Sequence, residues 1–220
     1  GTLKIGRDFR LAAGGVAAWS ATGGTVEFTT VNAGDGSQFI GGGVQFFNLV
    51  ISGSNDAKLD GNGPTIKVKG TFTNSNTNAA NKTWGAGTVV FNGSIAQSIS
   101  AVTQYFNLTI DNSAGATMTG DETVAGVLTF TNGNITTGVN TLTSGTTATT
   151  GTVSATGGYV VGNLQKFINN NAAQSTKTFE VGTGTYYTPL TFTPLANPSG
   201  TNGASALIVT SVAGEHPNFS

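Results

Sequence analysis

Gln45-Phe46-Phe47-Asn48-Leu49-Val50-Ile51 returns later in the chain as Gln104-Tyr105-Phe106-Asn107-Leu108-Thr109-Ile110. A second pair has nearly the same offset: Trp19-Ser-Ala-Thr-Gly-Gly-Thr25-Val-Glu-Phe28 matches Trp84-Gly-Ala-Gly-Thr88-Val-Val-Phe91. Repetition at a near-fixed period, here about 60 residues, marks a solenoid or an array of repeats. Stacked repeats make long regular surfaces, whereas catalysis needs one unique cluster of reactive groups. The pattern therefore speaks first of architecture.

Working outward, short β-branched and aromatic runs alternate with Gly, Asn, Asp and Ser clusters. Leu3-Lys-Ile5, Thr25-Val-Glu-Phe28, Leu49-Val-Ile51, Ile66-Lys-Val68, Val89-Val-Phe91, Leu108-Thr-Ile110 and Val127-Leu-Thr-Phe130 read as strands. Clusters such as Gly41-Gly-Gly43, Gly61-Asn-Gly63 and Asn132-Gly-Asn134 supply tight corners. The strand centres are Ile5, Val26, Leu49, Val68, Val89, Leu108 and Val127. They recur in steps of about 20 residues, which suits one turn of a parallel β-solenoid. Three such steps are expected to make the longer repeat of about 60 residues. Its third copy begins at Val124-Ala-Gly126-Val-Leu128, which matches Val68-Lys-Gly70-Thr-Phe72; its first begins at Ile5-Gly-Arg-Asp-Phe9.

In that arrangement inward side chains of one coil stack on those of the next. The expected aromatic ladders are Phe9/Phe72, Phe28/Phe91 and Phe47/Phe106. Asn48 and Asn107 read as corner residues that cap backbone groups, the alternative being a ligand contact. No amphipathic helix is expected. Leu11 to Ala18 has the composition for a short turn, but Gly14 and Gly15 interrupt it.

The pattern changes near Gln165. Lys177 to Gly182, Tyr186 to Phe192 and Ala204 to Val212 read as longer alternating strands, and four of the five prolines lie beyond residue 188. The expected fold class is all-β. A parallel β-solenoid over residues 1–164 is followed by an antiparallel β unit over 165–220, a cap or partial sandwich. Open solenoid ends expose strand edges and need covering.

Composition narrows the function classes. The 220 residues include 33 Gly and no Cys, only 9% are charged, and the net charge is −1. With 13 Phe the chain is unlike a disordered one. Near-neutral charge argues against nucleic acid or an anionic membrane surface as partner. No apolar run approaches the roughly 20 residues that span a bilayer. Disulfides and thiol chemistry are excluded. A Thr-, Asn- and Gly-rich polar surface suits an exported protein, and the start at Gly1 without a signal peptide reads as a processed or partial product.

Chemistry is sparse. His216 is the single histidine and has no second His or Cys for a metal site. Asp35, Asp56, Asp60, Asp111 and Asp121-Glu122 read as turn carboxylates, with a calcium site at Asp56 and Asp60 as the weaker alternative. Lys4, Lys67 and Lys69, with Arg7, Asp8 and Arg10, either form a basic stripe or are solvated strand residues; the second reading is preferred. Thr141-Leu-Thr143 and Thr146 to Thr150 suggest hydroxyl rows, but not at a constant coil position. Trp19, Trp84, Tyr186 and Tyr187 are candidate sugar-stacking residues, with edge packing the preferred reading. No catalytic, cofactor-binding or metal residue is expected.

Several stretches resemble the repeats of large β-solenoid surface proteins of Bacteroidota-type bacteria, adhesin-like and often exported by the type IX route. They are Gly87 to Ile99, Tyr105 to Asn112 and Val124 to Ile135, followed by Tyr159 to Lys166, Thr178 to Gly182 and Tyr187 to Leu190. The resemblance implies an extracellular, cell-surface location and a structural or adhesive role. The expectation is a segment or subunit of a fibre or stalk, without catalysis. The alternative is a carbohydrate-binding or polysaccharide-degrading β-helix protein. Expected partners are further copies in a head-to-tail fibre, or a cell-surface or carbohydrate ligand, with no nucleic acid and no membrane insertion. Assembly is expected to use Leu3, Ile5 and Phe9.

Overall fold

The computed structural model describes residues 1–6, 21–30, 38–40, 43–53, 57–59, 65–75, 86–100, 104–147, 151–168, 176–193 and 205–214. Among these there is no helix, and the strands, numbered in chain order, form a parallel β-solenoid with a small antiparallel part. The first stack is β4 (Val44–Phe46), β7 (Thr65–Val68), β9 (Thr88–Phe91), β11 (Asn107–Asp111), β14 (Val127–Asn132) and β16 (Thr152–Ala155). Its pairing is parallel throughout and aligns Val44, Ile66, Val89, Leu108, Leu128 and Val153 in one row. Phe46, Val68, Phe91, Ile110, Phe130 and Ala155 form the next inward row. Side chains alternate faces along a strand, so Gln45, Lys67, Thr109, Thr129 and Ser154 line the outer side.

The second stack opens with β1 (Thr2–Ile5), β2 (Thr25–Thr30), β5 (Asn48–Gly53) and β8 (Phe72–Asn74). It goes on through β10 (Gln97–Ile99), β12 (Ala116–Met118), the first half of β15 (Ile135–Ser144), the start of β17 (Val160–Ile168) and β19 (Val181–Gly182). Polar side chains join the two parts. The backbone amide of Asn74 donates to Ser100 Oγ at 2.8 Å, and Gln97 Nε2 donates to the carbonyls of Val68 and Gly70 at 2.9 and 2.8 Å. Third in each coil come β3 (Gln38–Ile40) paired with β6 (Ala57–Leu59), and later Tyr105, which bridges to β13 (Glu122–Val124). The second half of β15 and then the rest of β17 stack on β13.

Each coil thus visits three stacks, as β11, β12 and β13 do before β14 begins the next coil. Along the rows Leu3 meets Val26, Val89 meets Leu108 and Leu128 meets Val153, so the coils differ slightly in length. The extra length is taken up at the corners, because the paired strands stay in register. The rows also correct the expected meaning of the long repeat. Asn48 opens a strand of the second stack and Asn107 one of the first. The repeat from Asn48 to Asn107 therefore covers two coils and two sides of the next, not three coils. The evenly spaced strand centres cross from one stack to another between Leu49 and Val68. The same corner chemistry is reused at different corners because each corner poses the same local problem.

The expected aromatic ladders are also corrected. Phe28, Phe72 and Phe91 are buried, but Phe28 stands in the row of Ile5 and Ile51 and Phe91 in that of Val68 and Ile110, so the two do not stack. Phe106 is 41% exposed and Phe47 half-buried. The aromatics that fill the core are their predecessors, Phe46 and Tyr105. Phe47 and Phe106 sit at the bend itself, where alternation along the strand is interrupted. Phe9 lies outside the described residues. The buried side chains form one cluster from Val26 to Val181, in which Phe28 and Phe46 meet edge to face at 6.2 Å, as do Phe72 and Phe91. Each fully buried Phe, Leu or Ile contributes about 1.5–3 kcal/mol relative to exposure.

At the far end β17 runs through residue 164, where the sequence suggests a boundary. Parallel stacking continues to β19, so the last coil and the antiparallel part share a strand. The antiparallel pairs are β17 with β21 (Ser205–Thr210), and β18 (Lys177–Phe179) with β20 (Leu190–Phe192). The expected strand Lys177 to Gly182 is split at Glu180: β18 faces β20, while β19 continues the solenoid. Likewise only Leu190–Phe192 of the stretch from Tyr186 is a strand, with one bridge from Tyr187 to Gly182. Antiparallel β21 on the final rung ends the parallel order of the third stack.

Candidate functional site

β1 is the outermost strand of the second stack among the described residues and pairs only with β2. Leu3 heads a row whose other members, Val26, Leu49 and Phe72, are buried; Leu3 itself is 51% exposed. Ile5 heads the row of Phe28 and Ile51 and packs half-buried against the core. The structure therefore places Leu3 and Ile5 on one side of one edge strand, above core ladders. Phe9, the third residue expected at this edge, is outside the described residues.

The opposite side of β1 is charged. Lys4 lies 3.3 Å from the Glu27 carboxylate, which also accepts a 2.7 Å hydrogen bond from Ser52 Oγ. The bonds from Ser52 and Lys4 hold the Glu27 carboxyl below its ordinary range. A solvent-exposed pair of this kind adds little stability. A lysine on an edge strand does discourage indiscriminate pairing.

The other sequence candidates are dispersed. Lys4 stands in the second stack and Lys67 in the first, so the two do not share a stripe. Asp121 Oδ1 accepts the amide of Thr141 at 2.8 Å, the role expected of a turn carboxylate. Trp19, Trp84, Arg7, Asp8, Arg10, Asp35, Asp56, Asp60 and His216 lie outside the described residues. Among the described residues no three His, Cys, Asp or Glu side chains are grouped to hold a metal ion.

Asn48 and Asn107 do act at corners. Asn48 Oδ1 accepts from the amide of Thr71 at 2.9 Å and Asn107 Oδ1 from that of Val127 at 2.8 Å, each one coil ahead. Their amide groups reach back to Thr25 and Thr88 in the preceding coil. Gly70 and Gly126 leave room for them: a Cβ on Gly126 would lie 2.6 Å from Asn107 Oδ1.

The far end carries two further features, a buried ion pair and a groove at Tyr186, where exposure replaces the edge packing preferred from the sequence. Lys166 Nζ donates to Glu180 Oε2 and to the carbonyl of Thr178, both at 2.6 Å, beneath the Phe179 ring. Both charged side chains are nearly buried, and burial lowers the Lys166 pKa even against the raising effect of Glu180. The sequence signal is slight: Lys166 occupies a position of β17 that alternation with Leu164 assigns to the interior, whereas Glu180, between the buried Phe179 and Val181, would be read as outward. The second feature is a groove of about 550 Å³ between the turn at residues 183–188 and residues 211–214. Tyr186 stands on it, 70% exposed.

No protein-family model matches the chain, no curated protein matches it and no solved structure matches it.

Proposed function

We propose that the chain is a structural and adhesive segment of an extracellular fibre, in which the β1 edge receives a coil from another copy. One observation carries the reading: Leu3 is half exposed at the head of a row whose other members are buried. A strand added along β1 would meet backbone groups pointing away from β2 and would cover Leu3 and Ile5. Such a contact joins unlike surfaces and is open-ended, the geometry of filaments. Antiparallel β21 on the last rung gives the two ends different character, as a polar fibre requires. The resemblance to exported Bacteroidota-type surface repeats and a polar composition rich in Thr, Asn and Gly with few charged residues support an extracellular, non-catalytic role.

Electron microscopy over a range of protein concentrations tests this. Filaments with an axial repeat close to one subunit length are expected, and Ile5→Lys or Leu3→Lys should weaken them while the far end stays folded. Isolated short rods at every concentration would reject the fibre. Incubation with a panel of polysaccharides addresses catalysis: no released oligosaccharide is expected.

A further inference from the structure

We propose that the groove between residues 183–188 and 211–214 binds a neutral saccharide chain. The inference rests on the adhesive reading and deepens it by naming a ligand class and a site. The turn that forms one wall is stiff. Thr183 Oγ1 accepts from the amides of Thr185 and Tyr186 at 3.3 and 3.0 Å, and the Thr183 amide donates to the Tyr186 carbonyl at 2.9 Å. The Thr188 amide donates to the Val181 carbonyl at 3.0 Å, and Tyr187 bridges to Gly182.

Two successive tyrosines take opposite parts. Tyr187 stacks on Tyr159 with ring centroids 5.3 Å apart and planes at 27°, which anchors the turn. Gly182 makes the stack possible, since a Cβ there would lie 2.5 Å from Tyr159 Cε2. Tyr186, thereby held away from the anchor, leaves its ring 70% exposed. The groove exists before any ligand arrives, because Thr188 Oγ1 and Ser211 Oγ lie 2.6 Å apart and tie its walls together.

Its chemistry selects the ligand. The lining has hydroxyls at Thr183, Thr185, Thr188 and Ser211, an aromatic face at Tyr186 and an 80%-exposed aliphatic side chain at Val212, but no charged residue among those described. A ligand that suits it presents hydroxyl edges and flat C–H faces and carries no charge; a pyranose does so. Tyrosine offers a flat apolar face with a polar edge at little entropy cost. The volume falls in the range of small-ligand sites.

Affinity electrophoresis through gels containing hydroxyethyl cellulose, galactomannan, laminarin or starch tests the proposal, with alginate and polygalacturonate as charged counterparts. Retardation is expected in at least one neutral gel and in neither charged gel. Tyr186→Ala should weaken it about tenfold, the scale of one lost aromatic contact. Tyr186→Phe should retain it. Unchanged thermal unfolding of both variants excludes misfolding as the cause. No retardation in any neutral gel, full retardation of Tyr186→Ala, or equal retardation by charged polymers would overturn the proposal. Filament formation by Tyr186→Ala is read separately, so failure here leaves the fibre to its own test.

Discussion

Asn107 accepts, through Oδ1, the backbone amide of Val127 at 2.8 Å, one coil further on. Asn48 does the same for Thr71 at a different corner of the solenoid. A corner breaks the strand ladder, and an amide left there without a partner loses free energy when water cannot reach it freely. The asparagine side chain restores the bond along the axis. The same residue also reaches back to the previous coil, so each corner Asn ties three coils.

This arrangement predicts a coupled pair. Asn107→Ala should destabilise the protein by about 0.5–1.5 kcal/mol, the net scale of one solvent-accessible hydrogen bond. Asn107→Asp keeps the acceptor and should cost less. Gly126→Ala should also destabilise, because its Cβ would crowd Asn107 Oδ1 at 2.6 Å and the Phe106 carbonyl oxygen at 3.0 Å. The double variant should lose less than the sum of the two, as residues in contact are not additive. Denaturant titration of the parent, the Asn107→Ala and Gly126→Ala variants and their combination completes the cycle; strict additivity would deny the contact.

A buried and a bend aromatic should differ sharply. Phe91→Ala, a fully buried position, is expected to lose about 3–5 kcal/mol. Phe106→Ala, at the exposed bend, should lose well under half of that. Comparable losses would mean that the bend directs Phe106 inward after all.

Alkaline stability reports on Tyr105. Burial, reinforced by the neighbouring Glu122 carboxylate, pushes its phenol well above the ordinary 10.0. Above pH 10 the unfolded chain gives up that proton while the folded chain keeps it. The unfolded state then binds fewer protons, so stability falls as the pH rises further. Lys166, lowered by burial, acts in the opposite sense just below its ordinary 10.5. The difference between the parent and Tyr105→Phe isolates the tyrosine: the variant's stability should fall less steeply in this alkaline range. Parallel alkaline limbs for the two proteins would show that Tyr105 ionises in the folded state.

The Lys166–Glu180 pair should be costly to break and cheap to replace. Lys166→Met strands a nearly buried carboxylate and should lose about 3–5 kcal/mol. Lys166→Met with Glu180→Leu removes both charges and should recover most of the loss. Unfolding midpoints distinguish the cases, and a double variant as unstable as the single would mean that the pair itself holds the last rung.

Much of the architecture is legible in the sequence. Strand after strand of alternating Val, Ile, Leu and Phe, cut by Gly and Asn, dictates an all-β chain. The even recurrence of strand centres from Ile5 to Val127 dictates stacked coils. The corner role of Asn48 and Asn107 follows from their repeated position between aromatic and aliphatic residues. The edge residues Leu3 and Ile5 are readable as apolar positions in a strand, since alternation is a property of the strand itself.

What only the tertiary structure decided lies where that alternation stops. A bend falls between Phe46 and Asn48, and inside-outside parity cannot be carried across a bend by counting, so which phenylalanine fills the core depends on the coils above and below. The phase of the long repeat against the coils is hidden for the same reason, because corners look alike locally whichever stack they join. Lys166, in β17, and Glu180, at the break between β18 and β19, meet only through the last rung. Tyr186 and Ser211 share a groove because Thr188 closes onto the end of β21. Such meetings are set by packing between distant segments, which no local pattern encodes.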